Sequence, residues 1–149
     1  MLALDCASDR VVMTDARERV APVFGQAPFI QLVGYRLVDA GEGWVESALT
    51  LAPHHLQQHG YVHAGVMTTM ADHTAGSAAT TVIPETTSIL TADLAVNFLR
   101  PARGGEMTCR ATVIKAGRTL CVTEADVHSD GVHVARLHAT MAVVDRRLR

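Results

Sequence analysis

Between residues 54 and 76 the chain reads HHLQQHGYVHAGVMTTMADHTAG, a polar, histidine-laden loop that turns into a run of Val, Met, Thr and Ala. In the middle of that run sits one carboxylate, Asp72. On a helix its neighbours three and four residues away are Thr68, Thr69, Ala75 and Gly76, none basic and all small. Ionised carboxylates are seldom buried without a partner, because desolvation is costly. Small neighbours also leave room beside the group, as a ligand cleft would. A carboxylate in a partly dry cleft can act as a base or a nucleophile. The alternative is a structural aspartate that accepts hydrogen bonds from a threonine or a loop amide.

The start of the same helix offers a second group. HAG, residues 63–65, leaves the amides of Ala64, Gly65 and Val66 without intrahelical acceptors. Small side chains let a ligand oxygen approach them, and the helix dipole favours negative charge there. An amide aimed at a carbonyl oxygen is an oxyanion hole, the main electrostatic device of acyl transfer. The alternative is an ordinary helix entry in which Gly and Ala relieve crowding. Ala64 and Asp72 are eight residues apart, about 12 Å along a helix, whereas a carbonyl and its attacking group must come within about 3 Å. One chain's amide and its own Asp72 therefore do not meet at one carbon. Two antiparallel copies of the helix, side by side, would pair each amide with the other's aspartate. The spacing predicts a site shared between two subunits.

His54, His55, His59 and His63, with Asp72 and His73, also raise a metal site, since His55, His59 and His63 recur every four residues. Pro53 and Gly60 break any helix there, and no acid is placed to orient the rings. The expectation is no metal and no cofactor, with the histidines orienting the loop.

The elements that must position these groups follow from periodicity. Residues 14–24, TDARERVAPVF, suggest a short helix capped by Thr14 and limited by Pro22. FIQLVGYRLVDAGEGWVESALTLAP reads as two β-rich runs around DAGEG. A helix from about Gly65 to Thr81 is apolar nearly all round, so it belongs at the centre. Beyond it, Ala92, Leu94, Val96 and Phe98 alternate with Thr91, Asp93 and Asn97. Met107, Cys109, Ala111 and Val113 alternate with polar residues, and Ala135, Leu137, Ala139, Met141 and Val143 share one face. Turns fall at RPARGG, at AGR and at Asp130-Gly131. The order is helix, strand, strand, helix and about four strands, an α+β architecture with one long helix wrapped by an antiparallel sheet.

Composition narrows the class. The 149 residues suit a single domain, and with 48% apolar and 19% charged residues the chain is globular. A net charge of −2 without a basic stripe excludes a nucleic-acid footprint. Cys6, Cys109 and Cys121 form no CxxC pair and read as the reduced thiols of a cytoplasmic protein. No signal pattern and no membrane-length apolar run are present.

GYVHAGVMTTMADHTAG resembles the HGG-helix-Asp signature of hotdog-fold acyl-CoA thioesterases of the PaaI-like (phenylacetyl-CoA and 4-hydroxybenzoyl-CoA thioesterase) type. LTADLAVNFLRPARGGEMTCRATVIKAGRT resembles their following strands, and the likeness runs over roughly residues 28–145. The resemblance implies a single hotdog domain over 1–149, assembled as a homodimer and further as a homotetramer, acting on acyl-CoA. It implies Asp72 as the catalytic carboxylate, given across the interface, and the Ala64 amide as the polarising donor. His63 would buttress the loop, Gln57 would stand where the family often has asparagine, and Thr91 would help position the lytic water. Gly65, Val66, Thr68 and Thr69, with Met67 and Met70, would line the acyl site. Arg100, Arg103, Lys115 and Arg118 would meet the phosphates of coenzyme A, Arg118 first among them.

Two other classes share such a fold. Acyl-thioester hydratases and dehydratases carry a His–acid pair or an HFP-type segment, and neither occurs here. Non-catalytic acyl-CoA sensors carry a DNA-binding extension, for which the roughly 25 residues before the first strand are too few.

Overall fold

The structure, a computed structural model, describes residues 15–148. It opens with helix α1 (Ala16–Gln26) and a short helix α2 (Pro28–Val33). Strands β1 (Arg36–Gly41) and β2 (Trp44–Thr50) follow, then the long helix α3 (Ala64–Thr80) and strands β3 (Thr87–Phe98), β4 (Glu106–Ala116), β5 (Leu120–Ser129) and β6 (Val132–Asp145). The six strands form one antiparallel sheet in the order β1-β2-β4-β5-β6-β3. The α+β reading holds. Among the described residues no helix is long and apolar enough to cross a membrane.

The helix lies on the inner face of the sheet because its residues leave no polar side to speak of. Met67, Met70, Ala71, Thr74, Ala75, Ser77, Ala78 and Ala79 are all buried. Its few buried hydroxyls are paired: Thr74 Oγ1 lies 2.7 Å from Ser47 Oγ and donates to the Met70 carbonyl. Met107, Cys109, Ala111, Cys121, Ala125, Val127, Leu137 and Met141 face it from the central strands. Cys109 and Cys121 are unbridged and buried. Asp130 and Gly131, both at positive φ, make the two-residue turn that closes the β5–β6 hairpin.

Four local expectations need correction. The cap of α1 is Asp15, whose carboxylate accepts the Arg17 amide, while Thr14 lies outside the described residues. The helix runs on past Pro22 to Gln26, with the proline on its exposed side. FIQLV is helical, not extended, because Pro28 presets the first helical position and Gly34, at φ 96°, takes the left-handed cap. In β3, plain alternation fails. The pairing runs Thr91↔Met141 and then Asp93↔Thr140, so Ala92 is a bulge without a partner. Thr91 upstream and Leu94 and Val96 downstream therefore all face inward, and Ala92 and Phe98 are exposed.

Candidate functional site

Asp72 leaves the inner stripe of α3 half-buried and turned towards β3. Thr91 Oγ1 donates to its Oδ1 at 2.8 Å and lies 3.4 Å from Met141 Sδ. The bulge at Ala92 is what lets this hydroxyl face the helix while the rest of the strand keeps its apolar residues inside. Burial raises the Asp72 carboxyl above the ordinary aspartate range, and the Thr91 hydrogen bond partly opposes that rise. Beside the pair is a cavity of about 240 Å³ whose walls include Gly76, Ile89, Thr80 and Val23. His73, next along the helix, packs its ring edge-on to Phe24 at 4.7 Å. Its buried Nε2 has no hydrogen-bond partner among the described residues. Burial pulls this imidazole down to about 4, against the pull of a hydrogen bond to the Val23 backbone.

At the other end of the helix, His63 is the cap. Its Nδ1 accepts the Gly65 amide at 2.9 Å, and its carbonyl accepts those of Val66 and Met67. Of the three amides expected to be free, only that of Ala64 is left without an acceptor among the described residues. His55 holds the approach to this point. Its Nδ1 accepts the Ala52 amide at 2.9 Å, so Nε2 carries the proton and donates to the Val33 carbonyl at 2.7 Å, while the His55 carbonyl accepts the His63 amide. Both ring nitrogens are thus engaged. Among the described residues no three His, Cys, Asp or Glu side chains are grouped to hold a metal.

The Ala64 amide borders a second cavity of about 500 Å³, with Gln57, Tyr61, Met67, Phe98 and Arg100 around it. Gln57 turns its Oε1 back to the His59 amide. Arg103 stacks its guanidinium 4.0 Å over the Tyr61 ring, and Arg100 donates to the His133 carbonyl at 3.0 Å. The two cavities share no lining residue. Strand β3 runs antiparallel to α3, Thr91 level with Asp72 and Phe98 with the Ala64 end, and its outer edge has no strand beside it.

The structure thus brings Gln57, His63, Ala64, Arg100 and Arg103 to one end and Asp72 with Thr91 to the middle of the helix. Lys115 and Arg118 lie at the opposite end of β4 from Arg100 and Arg103, roughly 35 Å away at strand rise. Gly65 gives its amide to the cap, Val66 gives its carbonyl to the Tyr35 hydroxyl, and Thr68 gives its hydroxyl to the Ala64 carbonyl. Thr69 is half-buried, and Met70, in the core, lines neither cavity. The contribution of α1 was not foreseen: Val23 walls the Asp72 cavity from fifty residues upstream. Only the helical spacing of Val20, Val23, Phe24 and Ala27 hinted at a packed face. Tyr61 and Phe98 also line the Ala64 cavity, and nothing local in GYVHAG or NFLRPA marks them for that place.

With this geometry in place, comparisons with known proteins are informative. The sequence profile of the Thioesterase superfamily matches residues 59–136. A Haemophilus influenzae protein named "Putative esterase" is 30% identical over 98 residues, covering 66% of this chain and 71% of that one. The crystal structure of a thioesterase family protein from Silicibacter pomeroyi aligns with a TM-score of 0.84 at 34% identity, over 87% of this chain and 98% of that one. The E. coli PaaI protein, from the phenylacetic acid degradation operon, aligns with a TM-score of 0.79 over 87% and 93% of the two chains, and at 18% identity it attests the fold alone.

Proposed function

Because this chain belongs to the Thioesterase superfamily and has its hotdog fold, we propose that it hydrolyses acyl-CoA thioesters to the free acid and coenzyme A, at a site completed by a second copy of itself. The observation that carries this reading is the separation of the two catalytic parts. The free amide of Ala64 and the carboxylate of Asp72 open into different cavities, about 12 Å apart along one helix. Pairing two chains along the open edge of β3 would set their α3 helices antiparallel and close that gap. The exposed Leu90, Phe98 and Leu99 would gain cover along the same edge. Two such dimers would make the tetramer.

In the composite site, the Ala64 amide of one copy would hold the thioester oxygen and stabilise the charge that builds there. Asp72 of the other would take a proton from water as its oxygen adds to the carbonyl carbon. Collapse of the adduct breaks the C–S bond, and the proton on Asp72 passes to the departing thiolate. The raised affinity of Asp72 for protons favours this role of base, and Thr91 holds one oxygen so that the other faces the water. Arg100 and Arg103, beside the Ala64 cavity, would meet coenzyme A phosphates there.

The test is thiol release from a panel of aryl, short and long acyl-CoAs by the wild type and by Asp72→Ala. The expected loss is at least ~10²-fold in a folded, still dimeric variant. Full activity in that variant would reduce Asp72 to a structural residue. An altered double bond in place of a free thiol would point to a hydratase instead.

A further inference from the structure

Two cavities lie side by side behind Asp72. The inner one, about 240 Å³, begins at Asp72 and Thr91 and continues past Gly76 and Ile89 to Val23 and Thr80. A larger groove of about 800 Å³ begins at Val23 and Thr80 and runs out between α1 and the C-terminal end of α3, past Pro22 and Ala27. Val23 and Thr80 line both, one from each helix, and so stand between them, where a passage from one to the other would have its neck. Val23 and Thr80 themselves are uncharged, whereas the charged residues Glu18, Arg19, Glu85 and Arg146 line only the outer groove. Arg19 is also what fixes α1 at this distance from α3, since its guanidinium donates to the carbonyls of Thr81 and Ile83 at 3.0 and 2.7 Å.

We propose that the acyl group of the substrate lies in this passage, with the Val23–Thr80 neck as its gauge: the inner chamber takes the first part of the acyl group, and linear chains thread the neck into the groove under α1. The inference rests on the thioesterase reading and extends it to the class of acyl group. A cavity of about 150 Å³ already has the volume for a benzene ring, so by size the inner chamber, with Val23, Gly76 and Ile89 as its apolar walls, accommodates a ring or a short chain. Methylenes beyond that volume gain contact only by passing between Val23 and Thr80.

Narrowing the neck should therefore shift selectivity by chain length. The experiment compares kcat/KM across a series of saturated acyl-CoAs from two to sixteen carbons, for the wild type, Val23→Phe and Thr80→Phe. Because one methylene in an apolar pocket is worth tenfold or more in discrimination, the long-to-short ratio is expected to fall at least tenfold in both variants. Val23→Ala should move that ratio the other way. A folding defect lowers all chain lengths alike and leaves the ratio in place, so the readout does not depend on full stability. A ratio within about twofold of wild type in both narrowing variants would overturn the gauge while leaving the hydrolase reading intact. A wild type that releases no thiol from any member of the series would overturn both.

Discussion

Ala64 is the first residue of α3, and the backbone of His63 before it is already extended (φ −62°, ψ 136°). Proline suits such a position, with its fixed φ and no donor to lose from the helix ladder. Ala64→Pro should thus remove one N–H and little else. Thiol release is expected to fall about 10²–10³-fold, the usual weight of one oxyanion donor, with an unchanged circular dichroism spectrum. Activity close to wild type would place the oxyanion elsewhere. Asp72 makes a second prediction. Its carboxyl must be ionised to act as a base, and burial holds it above the ordinary aspartate range, so the acid limb of kcat/KM lies above that range as well. The Thr91 hydroxyl stabilises the ionised form. In Thr91→Val the limb should move to still higher pH, and an unmoved limb would show that Thr91 does not act through the carboxylate.

The elements show where a sequence is legible. The central helix, the alternation of β4 and β6 and the Asp130-Gly131 turn could be read because each is a local pattern: small apolar residues on all sides, period two, a left-handed pair. The Asp72–Ala64 separation could be read because a helix converts residue count into length. The bulge at Ala92 could not, since one unpaired residue is invisible until its neighbour strand is present. Nor could α2, whose apolar FIQLV fits a strand as well as a helix until Pro28 and Gly34 are weighed. Which of the basic residues share an end of the sheet depends on pairings between distant strands, so nothing local to Arg118 shows that it lies at the opposite end of β4 from Arg100. The packing of α1 on α3 gives a prediction of its own. His73 is neutral when folded, and its depressed pKa means that stability present above the unfolded value near 6.5 is lost as pH falls towards 4. In His73→Phe the fall in Tm between pH 6.5 and 4 should be shallower than in the wild type. An identical slope would show that this ring takes up its proton equally in the folded and unfolded states.

For the whole molecule, the consequence of the proposed split site is that two dead chains should restore each other. A dimer of one Asp72→Asn chain and one Ala64→Pro chain keeps one intact pairing and loses the other. Random reassociation of equal amounts makes half the dimers mixed, so about a quarter of wild-type activity should return on mixing two nearly inactive proteins. No recovery after confirmed subunit exchange would mean that each chain works alone. A different readout is built into the sheet. The sequence has one tryptophan, and Trp44 lies on the outer face of β2 beneath the Arg110 guanidinium, 4.4 Å from its ring centre, with Arg110 in turn paired to Glu46. The ultraviolet emission of this protein therefore comes from the side of the sheet turned away from α3. A ligand settling beside Asp72 would leave its colour unchanged, whereas two sheets meeting back to back would shift it to the blue. The same optical signal thus separates the filling of the site from the stacking of dimers.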